Sequence, residues 1–374
     1  MRKTSLFSRW LTSVKKSKTE PLFLVLLVVS LAVLLTTCSG AGEETGTFTL
    51  VTGSGTVTVI LTGAGDYNET TFYYGTVSAG YPIGGEDVIS GGTAGGTLQG
   101  EGNIVFTGGM ELVVGGFIDV SGGGAAFYMA DDGDWLASKT VTVSGNETVV
   151  LTYPGDFTEV TGSGTVSVNL VDAGDFEGID FYFGTISTGT PFGGQQIIST
   201  DNDTWPIQTE GSVVFTGGME LIVGGFIDVN ENGDTFHMAD DDDWLASKTV
   251  TVSGNETVVL TYPGDFTQVS GSGTVSVSLQ DAFSSHAGES FYYGTVSTGT
   301  PLGDQETIDS NGMLLTLTDD FSADVEFTGG SELVVGGFID VNGNGDNFHM
   351  ADDGDYQAAA AVTVSGDTVV TLTY

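Results

Sequence analysis

The sequence predicts an all-β chain: three tandem immunoglobulin-like or prealbumin-like β-sandwich domains behind an N-terminal targeting segment. Three observations carry that prediction. The segment GGFIDVSGGGAAFYMADDGDW from Gly115 returns as GGFIDVNENGDTFHMADDDDW from Gly224 and as GGFIDVNGNGDNFHMADDGDY from Gly336. Spacings of about a hundred residues mark copied whole domains, because solenoid units repeat at roughly 20 to 50. Within a copy, apolar and polar residues alternate with the period of a strand, and no helical periodicity follows the first 35 residues. The composition, 40% hydrophobic with 22 Phe and 12 Tyr, suffices for a buried core.

Taken in order, residues 1–37 read as a secretion signal. Arg2, Lys3, Arg9, Lys15, Lys16 and Lys18 precede an uncharged run from Pro21 to Leu35. Its apolar stretch, Leu22 to Leu35, is shorter than the roughly 20 residues a spanning helix requires. The single cysteine, Cys38, follows in Leu35-Thr36-Thr37-Cys38-Ser39-Gly40, which resembles the bacterial lipobox, with Thr37 departing from the usual small residue. That resemblance implies cleavage before Cys38, its acylation, and a polar tether over 38–45. An unpaired cysteine forms no internal disulfide.

Removing the signal takes Glu20 from 49 acidic residues and six of eight basic ones, leaving 48 against Lys139 and Lys248, a net charge of −46. Such a field repels nucleic acid and anionic surfaces. Cation sites, a saline habitat and plain solvation all remain open as its origin.

The three copies are expected at 46–158, 159–267 and 268–374, each near the commonest domain size. In the second, Thr165–Val171 alternates with Val166, Val168 and Leu170 inward. Strands are expected next at Asp180–Ser187, Ser212–Phe215, Glu220–Asp228, Thr249–Ser253 and Thr257–Tyr262, and Ser253-Gly-Asn-Glu256 reads as a hairpin turn. Tyr153-Pro-Gly-Asp-Phe157 and Tyr262-Pro-Gly-Asp-Phe266 leave only a tight turn between copies, so the array is expected to be a semi-rigid rod. Ala130–Thr158 and Ala239–Thr267 differ only at Gly133/Asp242, whereas the third copy replaces Trp-Leu-Ala-Ser-Lys with Tyr356-Gln-Ala-Ala-Ala360.

The loop after Phe-Ile-Asp concentrates oxygen ligands. In copy three, Asp340, Asn342, Asn344 and Asp346 alternate around Gly345, and Asp352, Asp353 and Asp355 follow; copy two offers Asp228, Asn230, Asn232, Asp234, Asp240, Asp241 and Asp243. Hard oxygens at alternate positions with a glycine at the sixth suit Ca²⁺, although the twelfth place of an EF-hand-type loop is Ala351. Two calcium sites are expected, with copy one, where Ser121 and Gly123 interrupt the pattern, empty. Turn chemistry accounts for the same Asp, Asn and Gly residues, so both readings stand.

With its acidic cluster and the following Val-Thr-Val-Ser-Gly-Asp-Thr-Val-Val-Thr-Leu-Thr, this loop looks like the repeat modules of bacterial secreted proteins and surface lipoproteins, which carry F-x-D-x-N-x-N-G loops on prealbumin-like or carboxypeptidase-regulatory-like sandwiches. The likeness covers about 60 residues of each copy and implies a surface role without an active site; the Phe348-His-Met350 stretch departs from the compact pattern. The expectation is a non-enzymatic, lipid-anchored protein of the cell envelope, structural or adhesive, touching the bilayer through Cys38 and an extracellular protein or glycan. A carbohydrate- or ligand-binding accessory is the alternative. Phe-Tyr-Tyr-Gly runs at Phe72 and Phe291, and Phe181-Tyr-Phe-Gly184, put rings on both strand faces, for sheet packing or for sugars. Trp135 and Trp244 are expected over the acidic loop. His237, His349 and His286 read as packed or solvent-facing side chains, and no catalytic motif appears.

Overall fold

The computed structural model describes residues 44–78, 88–94, 96–122, 129–187, 197–204, 208–209, 213–230, 238–297, 307–308, 313–314, 320–344 and 350–374. The chain is all-β, with three short helical turns at Gly65–Tyr67, Gly174–Phe176 and Phe283–His286 among the described residues. No helix among them is long and apolar enough to cross a membrane.

Each copy is a two-layer sandwich. In the first, one layer orders Thr97–Phe106, Gly55–Thr62 and Glu147–Thr152, with the outer two on either side of the first strand. Gly55–Thr62 and Glu147–Thr152 run parallel, Val57 opposite Glu147 through Thr62 opposite Thr152. The other layer is antiparallel and orders Thr158–Glu159, Trp135–Thr142, Glu111–Asp119, Thr70–Ser78 and Val88–Ala94. Val57, Val59 and Leu61 of the first layer meet Phe72, Leu112, Val114 and Ile118 of the second. The predicted inward set of copy two, Val166, Val168 and Leu170, is buried in the same way. Alternation with period two made that legible.

Gly116 lies on the core face of Glu111–Asp119. A Cβ there would meet the Tyr73 carbonyl oxygen at 2.2 Å and the Phe72 ring at 2.7 Å. The glycine therefore lets that ring lie across the sheet, and Gly225 and Gly337 do the same for Phe181 and Phe291.

Two local expectations need correction. The strand expected over Thr249–Ser253 is Trp244–Thr251, which pairs along its whole length with Glu220–Ile227. Ser253–Glu256 does turn the chain, with Ser253 N and Oγ donating to Glu256 Oε1 at 3.2 and 2.6 Å. The strand it leads to, Glu256–Thr261, pairs parallel with Gly164–Val171 in the opposite layer. The turn is thus a corner between sheets rather than a hairpin.

The joints between copies correct the rod. After copy one, Phe157 fills the first core, Thr158–Glu159 extends the first five-stranded layer, and Val160 N donates to the Asp134 carbonyl at 2.8 Å. Phe266, Thr267–Gln268 and Val269 repeat this after copy two, with Val269 N to the Asp243 carbonyl at 2.8 Å. The chain start makes the same joint with copy three. Phe48 fills the third core, Thr49–Leu50 pairs with Tyr356–Gln357, and Val51 N donates to the Asp355 carbonyl at 2.8 Å. Ahead of it, Glu44–Thr47 lies parallel to Thr368–Thr373. Glu44 and Thr45, expected in the tether, are strand residues, and residues 46–51, expected in the first domain, pair with the third.

Methionines interlock the same cycle. Met129 of copy one is buried in the core of copy two, Met238 of copy two in that of copy three, and Met350 of copy three in that of copy one. The three copies close on themselves within one compact unit, Glu43–Tyr374.

Candidate functional site

The acidic loop sits on the outer face of the five-stranded layer, where it builds a second, smaller core. In copy one, Phe117, Ala130 and Val160 are buried there with Tyr73 and Leu136 against them. Copies two and three repeat it around Phe226, Ala239 and Val269, and around Phe338, Ala351 and Val51. The outward rings Tyr182 and Tyr292 stack on Phe226 and Phe338, and Tyr73 lies tilted on Phe117, all with centroids 5.0 Å apart. They are half-buried, packed against these small cores. Trp135 and Trp244 do not cover the loop: their rings stand edge-on to Tyr153 and Tyr262 at 5.2 Å, against the main cores.

The last aspartate of each cluster anchors the loop. Asp243 Oδ1 accepts from Val229 N at 2.9 Å and Oδ2 from Asp240 N at 3.1 Å. Asp355 repeats this with Val341 N and Asp352 N, both at 3.0 Å. Asp134 accepts from Val120, Ser121 and Asp131 at 2.8, 3.1 and 3.0 Å. All three residues are 1% exposed. Burial pushes Asp243 up to about 7, with the Asp240 and Asp228 charges adding to it and the backbone donors opposing it. Asp355 rises to about 6 by burial, helped by Asp352 and Asp340, and Asp134 is raised for the same reason.

Of the residues expected to bind metal, the structure brings some together. In copy three, Asn342 Nδ2 donates to Asp352 Oδ1 at 2.6 Å and Asn344 Nδ2 donates to Asp352 Oδ2, while Gly343 N donates to Asp340 Oδ1 at 2.7 Å. In copy two, Asn230 Nδ2 donates to Asp240 Oδ1 at 2.6 Å, and Asp228 lies beside Asp243. Asp241 and Asp353 point elsewhere. Asp241 Oδ1 accepts from Ser272 N and Asp353 Oδ1 from Ser54 N, each at 2.7 Å, as Asp132 does from Ser163 N at 2.6 Å. These carboxylates clamp one copy to the next, a role that nothing in the local motif signalled. Asn232, Asp234, Asp346, His237 and His349 lie outside the described residues, as does Cys38. Among the described residues no group of three or more His, Cys, Asp or Glu is arranged to hold a metal ion. His286 is buried in a helical turn, its Nδ1 2.6 Å from Glu289 Oε2 and its ring against Tyr356 and Tyr374.

No family model matches the chain, and no curated protein matches it. Among solved structures, the Bacillus anthracis TIE protein is 8% identical with a TM-score of 0.19, covering 87% of this chain; the chain spans 50% of that protein's length. A minor pilin of Streptococcus agalactiae is 10% identical, TM-score 0.20, covering 55% of this chain and 94% of the pilin. Two B repeat units of the collagen binding protein of Staphylococcus aureus are 10% identical, TM-score 0.15, covering 86% and 75%. At these scores the fold assignment rests on the chain's own sheets.

Proposed function

We propose that the chain is a non-enzymatic lipoprotein of the cell envelope, held to a bilayer by acylated Cys38, whose closed three-copy unit serves a structural or adhesive role with calcium stiffening the loops of copies two and three. The observation that carries the calcium reading is the convergence of Asn342 and Asn344 on one carboxylate, Asp352, in the loop that also holds Asp340 and Asp355. An amide side chain presents nitrogen or oxygen at nearly the same place depending on a half-turn of its terminal torsion. Turned over, both asparagines offer oxygens beside Asp352, the hard ligand set that Ca²⁺ takes. Asn230 and Asp240 supply the counterpart in copy two.

Thermal melting with calcium, magnesium or chelator tests this. A ligand bound only by the native state adds RT ln(1 + [L]/Kd), and with extracellular Kd values of roughly 10⁻⁴ to 10⁻³ M millimolar calcium adds about 0.4 to 1.4 kcal/mol per site. Millimolar calcium is expected to raise Tm beyond an equal ionic strength of NaCl, and Asp352→Asn to abolish part of that rise. An identical Tm in calcium and in NaCl would refute the calcium reading. The anchor has its own test: Cys38→Ser is expected to release the protein from the membrane fraction, and unchanged fractionation would refute acylation.

A further inference from the structure

We propose that the segment Glu44–Val51 is an exchangeable strand, and that the joint it makes with copy three also forms between two copies of this chain, one donating its first strand to the last module of the other. The argument starts from the equivalence of the three joints. Val51, Val160 and Val269 each donate to a carbonyl of the preceding module at 2.8 Å. Each joint carries an aspartate-to-serine clamp of 2.6 to 2.7 Å, and each buries a methionine in the following core. Two of the joints are made by continuous chain. The third joins residues some 300 positions apart, and nothing in its chemistry depends on whether both halves belong to the same molecule.

The acceptor edge is built for a strand in copy three alone. In copy one, Lys139 Nζ donates to the Val150 carbonyl at 2.6 Å and pairs with Asp156 at 2.9 Å, capping the open edge of Glu147–Thr152. Lys248 does the same for Glu256–Thr261 through Val259 and Asp265. Each lysine reaches across from the other layer and takes up an edge carbonyl, and charge placed along an edge in this way disfavours pairing with another strand. Copy three has Ala360 in that register position, opposite Val335 where the others have Lys139 opposite Val114 and Lys248 opposite Val223. The replacement of Trp-Leu-Ala-Ser-Lys by Tyr-Gln-Ala-Ala-Ala thereby clears the lane that Glu44–Thr47 occupies. Gly46 fits closely there: a Cβ would meet the Ala359 carbonyl oxygen at 2.8 Å and Leu372 Cδ2 at 2.9 Å.

A joint between different surfaces on two copies is head-to-tail, giving rings where the rotation closes and open chains where it does not. The intramolecular partner competes with an effective concentration on the order of millimolar, so exchange belongs to concentrated solution or to copies crowded on a surface. Only the second setting rests on the anchor proposed above, and an experiment in solution separates the two.

The experiment mixes two single-cysteine variants of the full chain, both also carrying Cys38→Ser. One bears Thr47→Cys and the other Thr373→Cys, positions that are direct partners across the parallel pair. After warming near the onset of melting and cooling at roughly millimolar concentration, oxidation is expected to give disulfide dimers linking position 47 of one copy to position 373 of the other, increasing with concentration and exceeding same-position dimers. A chain carrying both cysteines should crosslink within itself in dilute solution, which shows that the pair is competent. Mixed-variant samples that stay monomeric, or crosslink at random, while the double variant closes internally would overturn the proposal. Failure of the double variant to close would overturn the joint itself.

Discussion

The joint after copy one and the joint that closes the unit use the same contacts, yet only the first is covalently continuous. In the first, chain connectivity holds Phe157, Thr158–Glu159 and Val160 in place whatever the packing does. At the closing joint, Phe48, Thr49–Leu50 and Val51 stay only as long as pairing and packing hold them, and the additional strand Glu44–Thr47 is found there alone. The difference teaches that the third copy departs from the other two where it receives a strand. Ala360 stands where they have the lysine edge cap.

The largest effect expected to break that comparison comes from Met350→Ala. Met350 is 3% exposed in the core of copy one, and truncating a buried methionine costs about 2–5 kcal/mol. At the closing joint the loss is expected to lower Tm and also to separate copy three from copy one, seen as faster hydrogen exchange across Glu44–Val51. Met129→Ala at the first joint should lower Tm to a similar extent with no separation. Equal exchange behaviour in the two variants would count against the distinction.

Next in size is Gly46→Val. The branched side chain collides with the Ala359 carbonyl and Leu372, and overpacking of this kind costs about 1–3 kcal/mol. Hydrogen exchange over residues 44–47 is expected to rise while the joint at Thr158–Glu159 stays protected; unchanged protection at 44–47 would show that the strand is not seated there.

The loops sharpen the comparison through pH. The folded-state values of Asp243, about 7, and Asp355, about 6, lie above the ordinary carboxylate value. Unfolded chains therefore release these protons first, and the native state binds more protons between about pH 4 and 7. Stability from these groups is greatest at the acidic end of that window and declines as pH rises through it. In chelator, Tm is expected to fall from pH 4.5 to 7.5, and Asp243→Asn to flatten the slope. A rising profile insensitive to that substitution would contradict the burial of the carboxyl.

The smallest effects concern two left-handed positions. Asp242 has φ 82° where its counterparts are Gly133 and Gly354, and Glu69 has φ 81° where the other copies have Gly178 and Gly288. Non-glycine residues are strained in that region by about 1 kcal/mol. Asp242→Gly and Glu69→Gly should each raise Tm by about one to two degrees, and a decrease in either would remove the strain argument.

Much of the fold was legible because strands advertise themselves by alternation, as Val166, Val168 and Leu170 do. The closure was legible too, in a place where domain counting does not look. Phe48-Thr-Leu-Val51-Thr-Gly-Ser-Gly55 at the chain start has the form of Phe157-Thr-Glu-Val160-Thr-Gly-Ser-Gly164 and Phe266-Thr-Gln-Val269-Ser-Gly-Ser-Gly273, which are joints. The Lys139-to-Ala360 change marks the copy that receives the first of these three sequences. The acidic loop was harder. Asp240, Asp241 and Asp243 look alike in sequence, yet one faces an asparagine, one clamps the next copy and one anchors backbone from the interior. Those roles depend on a neighbouring module and on burial, neither of which a local motif encodes.

Small-angle X-ray scattering of the Cys38→Ser chain lacking residues 1–37 tests the closed arrangement most directly. A single compact body of this size has a radius of gyration of about 20 Å, whereas three domains of about 13 Å each set end to end give about 30 Å. Closure predicts the smaller value, lost on Met350→Ala; the larger value in the unsubstituted protein would contradict it.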